Sequence, residues 1–194
     1  MFTNYHRIAV VQESENEYES AIKMYGLSLR VLQDLHQHRQ LQPDRQALIG
    51  IVEAAIKTCQ RSSIALGDWE TLLQQPPALV PELLNIRGQR CLELGWTDDA
   101  VEAVAKLREL KTATGGQLYN AACIYSRCAA SIKADEKELT TAQSAARQKH
   151  VAGALATLRE AIAAGFDKFD HLKNDPQLAP VRNLPEFQKL LPAE

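Results

Sequence analysis

Histidine and cysteine are the residues of this 194-residue chain whose chemistry could serve a metal site or a nucleophile. His36 and His38 stand two positions apart in a helical pattern, where side chains point in different directions, so they are not expected to share a metal ion. Cys123 and Cys128 lie in an apolar helical stretch and are predicted to be packed, unreactive thiols. No order of serine, histidine and acid indicates a catalytic nucleophile. The sequence therefore predicts no metal, no cofactor and no enzyme activity.

Composition narrows the class of protein further. Lys and Arg number 22 against 24 for Asp and Glu, which gives a net charge of −2. Neither sign forms a long block, so a nucleic-acid partner is not expected. No apolar run approaches the ~18 residues of a membrane span. The four cysteines are scattered, without a C-x-x-C pair or a secretory signal, and this favours a reducing, cytoplasmic setting.

Apolar residues recur at steps of three and four along most of the chain, which is the spacing of one face of an α-helix. Alternation with period two, the mark of a strand, is missing. One face is repeated 34 positions later: Leu84, Gly88 and Cys91 are followed by Leu118, Ala122 and Tyr125. A second face, Ala100, Val104 and Leu107, is repeated by Ala154, Leu158 and Ala161. Two helical hairpins in one register are therefore predicted over residues 81–162.

The small residues in this register suit helices that cross closely. Helix axes about 8–10 Å apart leave no room for a long side chain at the crossing, and Gly88, Ala100, Ala122 and Ala154 meet that requirement. A 34-residue repeat with these residues and a turn glycine, Gly95, resembles the tetratricopeptide repeat (TPR). The resemblance implies an all-α, TPR-like α-solenoid of about four antiparallel helical hairpins, closed by short C-terminal helices.

The same resemblance implies a single helical-repeat domain over residues 1–194. Its parts are a first repeat with a long second helix (1–40), an irregular hairpin (41–78), a regular repeat (79–112), a repeat with a 20-residue insertion (113–165) and capping helices (166–194). Most of this insertion lies in the polar stretch Lys133 to His150, and if the two helices of the hairpin share the insertion, each is lengthened by about 10 residues, or roughly 15 Å. In the first repeat, Asn16 is predicted to cap the second helix, with Glu19 three positions on.

A narrower resemblance involves the second half of the chain. The stretches 75–83, 118–123, 154–165 and 171–187 are similar to the C-terminal TPR region of bacterial multidomain Ser/Thr protein kinases. This implies an accessory region of a kinase-linked signalling protein. The chain has no Gly-rich phosphate loop, no His-Arg-Asp and no Asp-Phe-Gly, so the kinase reaction itself is not expected.

In TPR proteins the first helix of each hairpin lines a concave groove that binds a protein or peptide. Carried over to matching positions, the resemblance assigns this groove to Asn85, Gln89, Tyr119, Cys123 and Arg127, with His6 and Val10 in the first repeat. The side chains of Asn85, Gln89 and Arg127 could hydrogen-bond the backbone or the carboxylate of an extended peptide. Ordinary solvated polar positions are the alternative interpretation.

The leading functional hypothesis is thus a noncatalytic protein–protein interaction scaffold. A second hypothesis follows from two long helices, expected over residues 17–38 and 43–66, which could pair with a second copy as a structural homodimerisation module. A small-ligand-binding domain or an enzyme ranks last, because no cluster of titratable residues converges. The sequence leaves the oligomeric state open.

Overall fold

The computed structural model of the chain describes residues 2–132 and 138–192. Within these ranges the regular structure is entirely helical, with eleven α-helices, two 3-10 helices and no strand. The all-α prediction is therefore confirmed for the described residues. Contacts divide the chain into two compact units, Met1–Thr71 and Leu72–Glu194. The expectation of one domain over residues 1–194 stays a prediction.

The first unit is built from three long helices. They are α1 (Phe2–Ser14), α2 (Tyr18–Gln37) and α3 (Ala47–Leu66), with a 3-10 helix (Pro43–Arg45) before α3. The short α4 (Trp69–Leu73) follows α3 and includes the boundary between Thr71 and Leu72. Helix α2 lies between the other two and packs against both. The two long helices expected over residues 17–38 and 43–66 are present as α2 and α3, each of 20 residues.

Tyr25 is the largest fully buried side chain of this unit. Its hydroxyl donates a hydrogen bond to the Glu13 carboxylate at 2.8 Å, and the His6 ring meets its ring edge-on at 5.4 Å between centroids. Burial, and then the hydrogen bond to Glu13, raise the pKa of Tyr25 well above its usual range. Tyr25 is thus a neutral donor that ties α2 to α1.

The predicted cap at Asn16 is wrong. Glu17 occupies the N-cap position of α2 and makes no side-chain capping hydrogen bond. Asn16 instead lies in the turn with a φ of 63°, a left-handed conformation that asparagine tolerates better than most residues. Its side-chain oxygen accepts a hydrogen bond from the Tyr18 hydroxyl at 2.7 Å.

The second unit contains two consecutive helical pairs and a C-terminal segment. The pairs are α5 (Val80–Glu93) with α6 (Thr97–Glu109), and α7 (Gly115–Ser131) with α8 (Thr141–Ala163). Helix α7 packs against α5, α6 and α8, so it is the central helix of the unit. The six residues of the first repeated face and the six of the second are all buried.

The tight crossing predicted at Gly88 is present. A Cβ atom at this position would lie 2.9 Å from Cδ1 of Ile124 on α7 and 3.2 Å from Cγ1 of Val104 on α6. Gly115 is closer still, since its Cβ would lie 2.6 Å from the backbone nitrogen of Phe166 and 2.8 Å from the carbonyl oxygen of Ala161. The first turn of α7 therefore rests directly on the backbone that follows α8.

The insertion lengthens the two helices of its hairpin unequally. Helix α7 ends six residues after Tyr125, whereas α5 ends two residues after Cys91. Helix α8 begins 13 residues before Ala154, whereas α6 begins three residues before Ala100. The described residues thus give about four extra residues in α7 and ten in α8, so the expected gain of about 10 in both helices is wrong for α7. Residues 133–137 lie outside the described residues.

The C-terminal segment consists of the expected short helices. They are α9 (Phe169–Asn174), a 3-10 helix (Pro176–Leu178), α10 (Ala179–Arg182) and α11 (Pro185–Gln188). The 3-10 helix packs on α7, and α10 packs on both α7 and α8. The buried apolar side chains of this segment are Phe166, Leu172, Leu178, Val181 and Phe187.

Candidate functional site

Three of the five predicted groove residues lie together. Asn85 and Gln89 on α5 and Cys123 on α7 line a small cavity of about 40 Å³ between the two helices. Asn120, Ile124 and Gln177 complete its wall. Residues four apart share one face of a helix, so α5 presents Asn85 and Gln89 on the same side and α7 presents Cys123 opposite them. Tyr119 and Arg127 do not line this cavity.

Asn85 joins the two hairpins and still has an unpaired oxygen. Its side-chain nitrogen donates to the carbonyl oxygen of Gln117 in the first turn of α7, at 3.2 Å. The side-chain oxygen is buried and has no hydrogen-bond partner among the described residues. Leaving a buried acceptor unpaired costs about 1–3 kcal/mol. An N–H donor that entered the cavity from a ligand would recover part of that cost. Gln89, one turn further along α5, is exposed.

Tyr119 and Cys123 are covered by the C-terminal segment and are only 5% and 3% exposed. The Tyr119 ring stacks on Phe166 with 4.3 Å between centroids and 4° between planes. Its hydroxyl donates a hydrogen bond to the carboxylate of Asp175, and the Cys123 sulfur lies 3.7 Å from the same oxygen. In this structure neither side chain is open to a partner.

Asp175 is a buried carboxylate with several donors. Besides Tyr119 and Cys123, the backbone N–H of Gln177 donates to it at 2.8 Å, and His171 Nε2 lies 3.8 Å away. Burial alone would raise the pKa of Asp175, but these hydrogen bonds and the nearby imidazole together lower it below its usual value. The carboxylate is therefore held ionised inside the segment that covers the groove.

The partners of this carboxylate are held in their neutral forms. Burial, followed by the hydrogen bond to Asp175, raises the pKa of Tyr119 far above its usual range. Burial and the negative charge of Asp175 raise the pKa of Cys123 to about 12. A thiol with that pKa is essentially protonated at neutral pH, so Cys123 is a poor nucleophile.

The remaining predicted groove residues are separate from the cavity. Arg127 lies one turn beyond Cys123 on α7 and is half-buried. In the first repeat, His6 packs on Tyr25, whereas Val10 is 46% exposed.

Sequence reasoning missed Asp175, Asn120 and Gln177. A helix start at Asp175-Pro176 is visible in the sequence, but no local signal places its carboxylate against α7.

Two further findings concern ligands and membranes. Among residues 2–132 and 138–192, no group of three or more His, Cys, Asp or Glu side chains is arranged to hold a metal ion. In the same part of the chain, every helix is too short or too polar to cross a bilayer.

Comparison with known proteins adds no relative. Searches against protein-family models, curated proteins and solved structures each gave no significant match. A functional assignment therefore depends on the fold and the cavity of this chain alone.

Proposed function

We propose that the chain is a TPR-like α-solenoid that works as a noncatalytic scaffold for protein–protein interaction. The observation that carries the proposal is the shared cavity of Asn85, Gln89 and Cys123, three residues that the TPR resemblance assigns to one groove. The close approach at Gly88 supports the TPR-like packing of the two hairpins, since a Cβ atom there would press on the side chains of Ile124 and Val104.

The chemistry of the open part of the groove suits an extended peptide. The exposed amide of Gln89 can both donate hydrogen bonds to a peptide and accept them, whereas the Asn85 oxygen is buried and can accept only from an N–H group that enters the small cavity. Backbone hydrogen bonds of this kind hold peptides without requiring one particular side chain. Arg127, one turn beyond the covered part of α7, would add a charged contact at the end of the peptide.

A pull-down from bacterial extract tests the groove. The bait is the full chain, compared with Asn85→Ala/Gln89→Ala/Arg127→Ala and with a control triple at exposed sites of the first unit, Gln42→Ala/Arg45→Ala/Gln60→Ala. Quantitative mass spectrometry should recover the same partners with wild type and control, and lose them with the groove variant. Thermal unfolding checks that the groove variant is folded, because Asn85 also donates to Gln117. Equal recovery by all three baits removes the groove hypothesis.

Homodimerisation is the second candidate, favoured by the exposed apolar side chains of the first unit. Ile8 and Val11 on α1 are 47% and 53% exposed, and Ile51 on α3 is 54% exposed. Burying such residues against a second copy would be favourable at about 25 cal/mol per Å² of apolar surface. Light scattering at tens of micromolar tests homodimerisation. A strict monomer excludes this function, and a dimer that Val11→Asp dissociates supports it.

The setting we propose is a cytoplasmic, kinase-linked signalling protein. Four free cysteines, all buried, suit a reducing compartment. The link to a kinase has its support in the tail sequence of residues 171–187. Reading the coding sequence upstream of Met1 for a kinase domain tests it directly, and finding an unrelated gene there would remove the kinase link.

A further inference from the structure

A larger cleft of the second unit shares no lining residue with the cavity of the proposed groove. Helix α8 carries apolar residues on two faces: Ala154, Leu158 and Ala161 are buried, while Val151 and Leu155 belong to a different stripe. This second stripe forms one wall of a cleft of about 640 Å³. The opposite wall comes from the C-terminal segment.

The cleft exists because of the insertion. The ten extra residues of α8 have no counterpart in α6, and the short helices α10 and α11 are only four residues each. Pro180 and Leu184 reach α8 near Leu155, but Val151 stays half-buried and Ala152 exposed. Leu139, just before α8, closes the far end. A partly apolar channel is thus left open along the lengthened helix.

Two arginines of α8 lie in the lining of this channel. Arg147 and Arg159 are rotated about 120° from each other around the helix axis, and both are exposed. Twelve residues of helix separate them, which is about 18 Å. Neither forms an ion pair or a side-chain hydrogen bond with another described residue. Glu186, on the opposite wall, is the acidic residue of the lining. The channel therefore has apolar residues, Val151 and Ala152, between two cationic side chains.

We propose that this cleft docks an extended segment of a partner protein that carries two acidic residues about five positions apart, with apolar residues between them. An extended chain covers 18 Å in about five residues at roughly 3.3 Å each. A volume of 640 Å³ falls within the ~300–1,000 Å³ of ordinary ligand pockets. Each acid would pair with one arginine, and the apolar residues would cover Val151 and Ala152, since Leu155 is already buried.

Selection of a random dodecapeptide display library on the immobilised full chain tests this proposal. The enriched peptides should carry two acids four to six positions apart with apolar residues between them. Their affinity should fall at least tenfold for Arg147→Glu/Arg159→Glu and should be unchanged for a matched control in the first unit, Arg7→Glu/Arg45→Glu. Replacing both peptide acids by lysine should restore binding to the charge-reversed variant. Val151→Asp should also abolish binding, with circular dichroism as the check on folding.

Several outcomes would overturn the proposal. They are the absence of enriched peptides, enriched peptides without acids, and equal binding by Arg147→Glu/Arg159→Glu. Displacement of the selected peptides by laurate at stoichiometric amounts would assign the cleft to a small amphiphile. A dimer that only Val151→Asp dissociates would assign it to a second copy. The groove triple Asn85→Ala/Gln89→Ala/Arg127→Ala should bind the selected peptides normally, so failure here and failure of the proposed function are distinguishable.

Discussion

The hydroxyl of Tyr119 donates a hydrogen bond to the carboxylate of Asp175, a residue 56 positions later in the chain. Both side chains are buried, so the bond ties the C-terminal segment to α7 from the inside. Phe166 stacks on the same tyrosine ring and strengthens the attachment. The part of the predicted groove that includes Tyr119 and Cys123 is closed by the chain itself.

Removing the carboxylate should loosen the segment. Asp175→Ala leaves the Tyr119 hydroxyl buried without its acceptor, at a cost of about 1–3 kcal/mol. For a chain of this size, each kcal/mol of lost stability lowers the melting temperature by roughly 2–4 °C. Asp170→Ala, on the exposed side of α9, is the matched control and should shift it by less than about 1 °C. Equal shifts for the two variants, measured by circular dichroism, would show that the buried carboxylate is not an anchor.

The same carboxylate should make stability depend on acid. The folded pKa of Asp175 is lowered, so its contribution is fully present above the unfolded value of about 3.9. That contribution is lost as the pH falls through the folded pKa. Asp175→Asn has no carboxylate to protonate, so the wild-type advantage in urea midpoint should be constant from pH 7 to 5 and should shrink below about pH 4. An advantage that persists unchanged at pH 3 contradicts this assignment.

Two adjacent glycines should respond in opposite ways to the same substitution. A Cβ at Gly115 meets backbone atoms of Phe166 and Ala161 at 2.6 and 2.8 Å, and backbone cannot rotate away as a side chain can. Gly115→Ala should therefore destabilise the chain by about 1–3 kcal/mol or more. A Cβ at Gly116 meets nothing within 4 Å, so Gly116→Ala should be neutral or stabilise by up to ~1 kcal/mol. The denaturant midpoints of the two variants test this prediction. Similar midpoints would show that the first turn of α7 does not approach the backbone of Phe166 and Ala161 closely.

The hairpins of the second unit were predictable because their signals are local. A four-then-three spacing of apolar residues indicates which side of a helix faces the core. The side chains at these positions are buried, as the spacing predicts: Leu84, Cys91, Leu118 and Tyr125. Helix starts are less certain, because polar residues one or two positions apart compete for the cap. For this reason the prediction at Asn16 is wrong by one position, since Glu17 occupies the N-cap of α2.

The state of the groove was not predictable in the same way. Position within a repeat is enough to place Asn85 and Gln89 at one cavity. Whether Tyr119 is open depends on contacts with Phe166 and Asp175, which are 47 and 56 positions away. A periodic pattern carries no information about such distant contacts. The cleft beside Arg147 was not predictable either, because it forms only where the short helices of the C-terminal segment pack against α8.

The four cysteines should be protected as long as the chain is folded. Burial raises the pKa of Cys123 to about 12 and of Cys128 to about 11, against about 8.5 for a free thiol. Iodoacetamide at pH 7.5 should therefore label native protein slowly, as followed by mass spectrometry, and should label all four sites rapidly in denaturant. Ala54→Cys, at an exposed site of α3, supplies an accessible reference thiol.

The order of labelling then reports which part of the second unit opens first. Cys123 lies beneath Asp175, whereas Cys91 on α5 is buried away from that carboxylate. If the C-terminal segment opens as a local unit, Asp175→Ala should speed the labelling of Cys123 several-fold and leave the rate at Cys91 unchanged. If all buried thiols accelerate together in this variant, the segment does not open separately, and Tyr119 and Cys123 are closed to any partner unless the whole unit unfolds.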